Sequence, residues 1–402
     1  MSDSIETIIN DIGGLKCGPL LELSKPLVVP HGRILMGPGP SNCSPRVLES
    51  LANPVIGHMH LETFKIMDDI KEGLKYAFQT DNRLTLAISG SGHSGMEACI
   101  DNLLEPGETI LIIKAGIWGE RAADMASRIG ANVKLLTTEL GSVFSLDELE
   151  TSMIKYKPDV VFVVHSESST GLKQPLPGVG HIVQKYGALL IVDAVASLGG
   201  EPFFMDAWKI DAAYTGSQKV LGAPPGLTPI SFNSRAEKKL FSRKIKVPVY
   251  YWDMCLLGNY WNCFNDAKRN YNHTVSTTLL YGLREALAML VEEGLEASWK
   301  KHLNASIILH GELEKRGFKF FVKNPEHRLV TVTAIVLPPG VDGNIVVRRT
   351  LERWNVEISG GLGPTFGKIL RIGVMGINTT NKHVNLVLNA LDEALDYAQS
   401  KL

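Results

Sequence analysis

A lysine and an aspartate near the middle of the chain carry the clearest chemical signal. Lys219 ends the segment Thr215–Lys219, and Asp193 directly follows the apolar run Leu189–Val192, which has the composition of a buried strand. A lysine amine forms a Schiff base with pyridoxal 5′-phosphate (PLP), and a carboxylate beside the pyridinium nitrogen keeps the ring an electron acceptor. The pair therefore predicts a PLP site, with an ordinary surface lysine after a strand as the alternative.

A Gly/Ser-rich turn gives a second signal. The turn Ser89–Gly95 follows a predicted strand, Leu84–Ile88, and precedes a predicted helix that begins at Met96. At such a junction the free N–H groups of the first helical turn and the helix dipole both favour an anion, and we expect a phosphate there. His93 lies within this turn, either as an ordinary turn residue or as a side chain that stacks on a flat ring.

Three further features are expected at the site. Trp118 stands between glycines, either stacked on a planar ligand or closing the core. The segment His165–Gly171 supplies hydroxyls for the cofactor or the local backbone. Arg371 lies inside an apolar run, Ile369–Val374. A buried guanidinium needs an anionic partner, and its planar fork fits a carboxylate. We expect that carboxylate to be the substrate's, with a structural salt bridge as the alternative.

The segments outside these motifs carry weaker signals. The Gly/Pro cluster Met36–Asn42 is either a linker into a helix near Pro45 or a loop shaped to approach a ligand closely. The aromatic segments around residues 250–261 and 271–274 predict an interface or a pocket wall. The basic run 235–246 lacks a nucleic-acid-binding fold around it and is interpreted as a solvated helix face.

Apolar runs with strand composition alternate with helical periodicity through the first 230 residues or so. This alternation predicts an α/β fold with a mainly parallel sheet covered by helices on both faces, and ligands of such sheets lie at the carboxyl ends of the strands. The predicted strands are Leu84–Ile88, Thr109–Ile113, Asn132–Leu136, Val160–Val164, Leu189–Val192, Ala212–Tyr214 and Leu227–Phe232. The predicted helices are Glu62–Phe78, Met96–Leu104, Gly119–Ile129, Leu146–Lys155 and Val179–Tyr186.

The C-terminal third has a different pattern. A long helical stretch from Ser276 to about Leu313 is expected to bridge to a small α+β domain. The predicted order there is strand, strand, helix, strand, strand and a closing helix: Lys319–Val322, Val330–Val336, Asn344–Trp354, Val356–Ile358, Ile369–Val374 and Asn381–Ala398. The expected domains are an N-terminal arm (1–32), a large PLP-binding domain (33–293) and a small C-terminal domain (294–402).

Composition limits the class of protein. The chain has 402 residues and a formal net charge of −1, so no global charge favours nucleic acid or a membrane surface. Its five cysteines form no C-x-x-C pair, which indicates a reducing compartment, and no apolar run is long enough to predict a membrane span. We expect no metal. The terminal Ser400-Lys401-Leu402 matches a peroxisomal address, so we expect a peroxisomal import receptor as a partner.

Several of these motifs together resemble one family. They are Gly37–Asn42, Ser89–His93, Gly116–Gly119, Val192–Gly200, Gly216–Lys219, Ala223–Gly226 and Gly360–Pro364. In this order they are similar to the alanine–glyoxylate (serine–pyruvate) aminotransferases. The resemblance implies a PLP-dependent transferase of fold type I, with a mainly parallel seven-stranded sheet in the large domain, that works as a homodimer.

The resemblance also implies roles for single residues. Lys219 would bind PLP covalently and carry a proton, Asp193 would hold the pyridinium nitrogen, and Trp118 would stack on the ring. Further cofactor contacts would come from Ser91, Gly92, His93, Ser168, Val195 and Gln218, with Tyr271 and Thr274 reaching the phosphate from the neighbouring subunit. Arg371, Ser41 and Asn42 would bind the substrate.

The expected reaction is a two-step transamination, in which L-alanine leaves as pyruvate and glyoxylate then leaves as glycine. The residues leave three alternatives open. Transamination of 3-hydroxykynurenine would use the same site. A lyase such as a cysteine desulfurase would need a nucleophilic cysteine near the cofactor, and a PLP-binding protein without activity would not need Arg371.

Overall fold

A computed structural model describes residues 26–266 and 268–401. From Ile34 onward the chain forms one compact unit, Ile34–Leu402, and the residues before it are a separate unit. Most of the predicted N-terminal arm, together with Cys17 and Leu402, lies outside the described residues. The domain borders expected from the sequence stay a prediction.

The strands of the described residues vary from two to six residues in length. In chain order they are β1 (Ile34–Leu35), β2 (Leu84–Ser89), β3 (Thr109–Lys114), β4 (Asn132–Thr137), β5 (Val160–Val164), β6 (Ser166–Glu167), β7 (Leu172–Lys173), β8 (Leu189–Asp193), β9 (Ala212–Tyr214), β10 (Leu227–Phe232), β11 (Val332–Val336), β12 (Val356–Glu357), β13 (Ser359–Gly360) and β14 (Ile369–Gly373).

The α-helices of the described residues cover both the sheet and the C-terminal region. In chain order they are α1 (Pro45–Leu51), α2 (Leu61–Phe78), α3 (Gly92–Leu103), α4 (Ile117–Arg128), α5 (Leu146–Tyr156), α6 (Val179–Lys185), α7 (Ser234–Phe241), α8 (Met254–Tyr260), α9 (Thr277–Glu293), α10 (Leu295–Lys315), α11 (Gly343–Trp354) and α12 (Asn381–Gln399). Short 3₁₀ turns occur at Tyr250–Trp252, Pro325–His327, Gly363–Thr365 and Gly376–Asn378.

Seven strands form the main sheet, in the order β2-β10-β9-β8-β5-β3-β4. The pairs from β9 through β4 are parallel, and β10 runs antiparallel to both β9 and β2. This confirms the predicted mainly parallel seven-stranded sheet. Every residue of β5 and β8 is buried, as their continuous apolar sequences require when helices cover both faces. The edge strand β4 mixes polar and apolar residues and stays largely exposed.

A second core lies in the C-terminal part of the unit. The strands β11, β14 and β13 form an antiparallel three-stranded sheet. Side chains from α10, α11 and α12 are buried against it, among them Leu309, Val346 and Leu391. Met36 belongs to the same core, and β1 pairs with β12. The chain segment that leads into the Gly/Pro loop is therefore anchored on the C-terminal region.

Two predicted elements are wrong. The helical stretch from Ser276 to Leu313 is broken into α9 and α10 at Gly294, whose φ of +84° suits a glycine and not a continuing helix. The segment Lys319–Val322 is not a strand, and only Phe320 makes an isolated bridge to Ile335. Because the residues on either side of Phe320 do not pair with another strand, the segment forms no β-ladder. Its apolar composition was not enough to predict strand pairing.

Helices α3 and α4 begin earlier than predicted, at Gly92 and Ile117. Gly92, His93 and Trp118 therefore lie in first helical turns, where backbone N–H groups lack intrahelical acceptors. None of the described helices is both long and apolar enough to cross a lipid bilayer.

Candidate active site

A cavity of about 130 Å³ lies at the carboxyl ends of the parallel strands. Residues that follow β2, β3, β5, β8 and β9 meet there, as the fold predicts. The cavity is lined by Ser91, Gly92, His93, Met96, Trp118, Ser166, Ser168, Asp193, Val195, Gln218 and Lys219. All the predicted residues of the cofactor site line it except Tyr271 and Thr274.

A larger cleft of about 810 Å³ opens at the opposite edge of the sheet, where Glu108, Asp159 and Leu189 lie at the amino ends of strands. None of the predicted site residues lines it. Charged side chains on its wall are engaged with carboxylates, such as Arg235 with Asp211. The residues predicted to do chemistry therefore lie at the smaller cavity and not at the larger cleft.

The Gly/Pro loop touches the amine of Lys219. The Nζ atom of Lys219 donates a 2.5 Å hydrogen bond to the carbonyl oxygen of Pro38. A Cβ atom on Gly39, which has a φ of +109°, would lie 2.3 Å from that same Nζ atom. The loop therefore packs closely around the lysine; its approach to a ligand stays a prediction.

Burial controls the charge of Lys219. The low-polarity surroundings and the nearby charge of Arg371 lower the pKa of Lys219 to about 8, while Asp193 raises it. A lysine with this pKa loses its proton far more readily than a solvated one, whose pKa is about 10.4. The neutral amine, which is the nucleophile in Schiff-base formation, is thus accessible near neutral pH.

Ser41 and Asn42 hold the loop rather than line the cavity. The hydroxyl of Ser41 donates a 2.6 Å hydrogen bond to the carbonyl oxygen of Lys219. The side-chain oxygen of Asn42 accepts hydrogen bonds from the backbone N–H of Leu35 and from Nδ2 of Asn378, each 2.8 Å long. These contacts give both residues a structural task; their expected role in substrate binding stays a prediction.

Asp193 is buried at the end of β8 and is held by two donors. Its Oδ2 atom accepts a 2.6 Å hydrogen bond from the hydroxyl of Tyr214, and its Oδ1 atom accepts a 2.8 Å bond from the N–H of Val195. Burial raises the pKa of Asp193 to about 6, and these hydrogen bonds and the charge of Lys219 lower it. Below about pH 6 this carboxylate therefore needs a cationic partner to stay ionised.

The amino end of α3 forms the predicted anion cradle. Ser91 is the N-cap residue, and its side chain makes no capping hydrogen bond. Gly90 has a φ of +152°, and a Cβ atom there would lie 2.0 Å from Oγ of Ser94. The glycine lets the backbone turn tightly, so that the amides of Gly92 and His93 open the helix beside the cavity.

Trp118 lies half-buried on the wall of the cavity, in the first turn of α4. Its indole Nε1 donates a 3.0 Å hydrogen bond to Oγ of Ser168, and its ring meets the ring of His93 edge-on at 5.6 Å between centroids. Nη1 of Arg121 donates a 3.1 Å hydrogen bond to Nε2 of His93. The hydrogen bond to Ser168 and the contact with His93 thus fix the orientation of the indole ring.

Arg371 is buried within β14, with 7% of its surface exposed. Its Nε atom donates to the carbonyl oxygen of Gly360 and its Nη1 atom to that of Ser168. Among the described residues it makes no salt bridge, which removes the structural alternative raised by the sequence. Burial lowers the pKa of Arg371 to about 10. A buried guanidinium with only neutral partners is suited to receive an anion.

Two side chains important for the geometry were missed by sequence reasoning. Tyr214 ends β9 directly beside Asp193, its register partner on β8; aligning the ends of the two predicted strands would have found it. Glu167 is buried behind Trp118. Its sequence signal was only that an acid stood among hydroxyl residues after a strand.

Tyr271 and Thr274 do not reach this cavity within their own chain. Tyr271 is 57% exposed and Thr274 is also exposed. Their side-chain oxygens lie 3.4 Å apart, so the two residues form one surface pair.

The cavity suits the cofactor that the sequence predicts. Oε1 of Gln218 is buried with no hydrogen-bond partner among the described residues, so a polar group in the cavity would satisfy it. A Cβ atom on Gly92 would lie 3.2 Å from Cγ2 of Val195, so the glycine keeps the cavity open. The polar groups match both ends of PLP: a carboxylate that accepts from the protonated ring nitrogen and free helix N–H groups that donate to the phosphate.

Comparison with known proteins agrees with this geometry. The family model described as aminotransferase class V matches residues 41–387. Alanine–glyoxylate aminotransferase of Callithrix jacchus is 49% identical over 96% of this chain and 93% of that protein, and the Drosophila melanogaster protein of the same name is 50% identical over 94% and 95%.

A crystal structure of alanine–glyoxylate aminotransferase from Nostoc sp. superposes with a TM-score of 0.90 at 45% identity, over 93% of this chain and 98% of that one. The family resemblance and the fold class predicted from the sequence are both confirmed. The chain therefore belongs to the aminotransferase class-V family.

Proposed function

We propose that this chain is a PLP-dependent enzyme that transfers the amino group of L-alanine to glyoxylate, giving pyruvate and glycine. The observation that carries the proposal is the place of Lys219, which lines one cavity together with the carboxylate of Asp193 and lies near enough to the guanidinium of Arg371 for the two charges to interact. This arrangement offers one site for a covalent cofactor and one for a substrate carboxylate. The choice of alanine and glyoxylate is supported by the relatives at about half identity, which are named for that reaction.

When bound, PLP would supply an electron sink that makes the proton on the substrate carbon next to the amine more acidic. The residues of this chain do the rest. Lys219 binds the cofactor and then moves a proton to and from the substrate carbon as a general base and acid. Asp193 holds the ring nitrogen, and Trp118 covers one face of the ring. Arg371 binds and orients the substrate carboxylate.

The remaining residues of the cofactor site form two groups, one for the phosphate and one for the ring. The amides at the start of α3, from Ser91 to His93, receive the phosphate, with the side chains of Ser168, Val195 and Gln218 around the ring. The Gly/Pro loop lies against the amine of Lys219 and so narrows the cavity on that side. A pocket of this kind suits alanine and glyoxylate.

Three alternatives are less well supported. Transamination of 3-hydroxykynurenine is disfavoured because the relatives reported above carry another activity. For a cysteine desulfurase the described thiols are unsuited, because burial raises the pKa of Cys43, Cys99, Cys255 and Cys263, and none of them lines the cavity. A PLP-binding protein without activity would leave the burial of Arg371 unexplained.

We further propose that two copies assemble as a homodimer in which Tyr271 and Thr274 reach the partner's cofactor phosphate. Their exposure supports this role. Sedimentation would test the assembly, and a monomer with full activity would contradict it. Import into peroxisomes through the terminal Ser400-Lys401-Leu402 remains a prediction, and Leu402 lies outside the described residues.

The decisive experiment is borohydride reduction of the purified protein with PLP, followed by peptide mass spectrometry. The adduct is expected on Lys219, and Lys219→Ala should lose both the visible absorbance and the turnover of alanine with glyoxylate. Lys185→Ala is the matched control, since Lys185 is an exposed lysine paired with Glu150. An adduct elsewhere, or normal turnover by Lys219→Ala, would contradict the proposal. A panel of amino donors then identifies the preferred substrate.

A further inference from the structure

Glu167 is a buried carboxylate next to the cavity, and the reaction described above gives it no role. Only 1% of its surface is exposed, and it lies on β6, one residue before Ser168 on the cavity wall. Burying an ionised carboxylate is unfavourable unless donors surround it. The contacts of Glu167 therefore indicate what its burial achieves.

The carboxylate of Glu167 joins two loops at the carboxyl edge of the sheet. Its Oε1 atom accepts hydrogen bonds from both the N–H and the hydroxyl of Ser169. Its Oε2 atom accepts a 3.3 Å hydrogen bond from the N–H of Trp118, in the first turn of α4. The N-cap residue of that helix is Gly116, which has no side chain to do this. Glu167 therefore caps α4 from another loop, where the helix dipole also favours its charge.

Gly116 is shaped around this carboxylate. A Cβ atom on Gly116 would lie 2.3 Å from Cδ and 2.6 Å from Oε2 of Glu167. The φ of Gly116 is 178°, an extended conformation that any residue adopts. The glycine is therefore required by the space that Glu167 occupies, and not by the conformation of the backbone.

The same segment also holds Arg371. The carbonyl oxygen of Ser168 accepts a 3.2 Å hydrogen bond from Nη1 of Arg371, and that of Ser169 accepts a 3.3 Å bond from the hydroxyl of Thr365. The charges interact as well, because the carboxylate of Glu167 raises the pKa of Arg371 against the effect of burial. The segment Glu167–Ser169 thus contacts both Trp118, on the wall of the cofactor cavity, and the guanidinium of Arg371.

We propose that Glu167 is a positioning residue that holds Trp118 against the cofactor ring and Arg371 at the substrate carboxylate through the rigid segment Glu167–Ser169. This inference rests on the proposed function, since it takes the roles of Trp118 and Arg371 from there. It predicts that one substitution at Glu167 changes two separate properties, affinity for PLP and affinity for the substrate carboxylate.

The test is Glu167→Gln, an isosteric change that removes the carboxylate and places an N–H donor opposite another donor. Because burial raises the pKa of Glu167 to about 7, the two proteins are compared above that pH, where the wild-type carboxylate is ionised. The dissociation constant for PLP, from titration of cofactor-depleted protein, and the KM for alanine should each rise about tenfold, the equivalent of one charge-assisted hydrogen bond. By comparison, Trp118→Phe should change mainly PLP binding, and Arg371→Lys mainly KM. If the PLP dissociation constant and the KM for alanine of Glu167→Gln both lie within twofold of the wild-type values, the proposal is overturned.

A capping carboxylate elsewhere is the matched control. Oε2 of Glu148 accepts from the N–H and hydroxyl of Ser145 at the start of α5. Glu148→Gln should lower the unfolding temperature and leave PLP affinity and KM unchanged. If it changes both constants as much as Glu167→Gln does, then Glu167 has a merely structural role.

A second pair of variants keeps the proposal testable if Glu167→Gln does not fold. Gly116→Ala displaces the carboxylate without removing it and should raise the same two constants. In a Glu167→Ala background the three side-chain atoms that the new methyl group would meet first are gone, so adding Gly116→Ala should change the constants by less than twofold. Equal effects of Gly116→Ala in both backgrounds overturn the proposal.

The two levels of inference fail in different ways. If wild-type protein transaminates no amino donor, the proposed function fails, and the PLP titrations still test the link between Glu167 and Trp118. If wild-type protein is active and Glu167→Gln matches it in both constants, the positioning role alone is lost.

Discussion

The hydroxyl of Tyr214 donates a 2.6 Å hydrogen bond to Oδ2 of Asp193, and the two residues are register partners on neighbouring parallel strands. In a parallel pair such partners point to the same face of the sheet. The tyrosine therefore stands directly beside the carboxylate that we assign to the cofactor ring.

Tyr214→Phe should lower kcat about tenfold with little change in the fold. The hydrogen bond from Tyr214 lowers the pKa of Asp193, so without it the ionised form of the carboxylate is less favoured. A hydrogen bond to a charged group contributes about 1.5–3 kcal/mol. Steady-state kinetics measure the effect, with Tyr186→Phe as a control on an exposed tyrosine. An unchanged kcat would show that Val195 alone is enough to hold Asp193.

Removing the charge of Lys219 should change how stability depends on pH. In the folded protein the pKa of Lys219 is about 8, and in the unfolded chain it is about 10.4. Between these values the unfolded chain binds a proton that the folded chain lacks, so rising pH favours folding. Below pH 8 the amine of Lys219 is protonated in both the folded and the unfolded state. The folded protein is then destabilised by the whole cost of burying this charge.

Without cofactor, the free energy of unfolding should thus rise by on the order of 3 kcal/mol more in wild type than in Lys219→Met between pH 8 and pH 10.4. Urea unfolding across this range measures the difference. A constant difference between the two proteins would mean that the amine is solvated and has its ordinary pKa.

Arg371→Lys should raise the KM for alanine at least tenfold and change PLP affinity less than threefold. A lysine keeps the charge but not the planar fork that binds a carboxylate through two hydrogen bonds. The control is Arg316→Lys, since Arg316 pairs with Glu312 and Asp392 on the surface. Equal losses in KM and PLP affinity would assign Arg371 a structural role.

Gly39→Ala should reduce turnover strongly, because the added methyl group would lie 2.3 Å from Nζ of Lys219. The φ of Gly39 is +109°, so some strain of the backbone accompanies the contact. Gly107→Ala separates the two effects, since Gly107 has a φ of +88° but no atom within 4 Å of its added Cβ. Both variants should lose stability by about 1–2 kcal/mol, and only Gly39→Ala should lose activity. Equal activity in the two would show that the loop moves freely.

Much of this architecture is readable from short-range patterns. Each signal is local: the apolar runs of β3, β5 and β8, the turn before α3, and the polar residues at the strand ends are each a pattern of a few consecutive residues. Strand periodicity and the connection rules of parallel sheets then bring Lys219 and Asp193 to one edge. The buried place of Arg371 also followed from its apolar neighbours.

Contacts between distant segments were beyond the reach of such patterns. The hydrogen bond from Lys219 to Pro38, the cap that Glu167 provides for α4, and the anchoring of Asn42 on Asn378 each join residues far apart in the chain. The break at Gly294 likewise depends on a backbone conformation that glycine permits but does not require. Residue type and spacing encode which groups can react, because helices and strands form from local preferences. Which atoms touch is set by packing between elements, and packing depends on the whole chain at once.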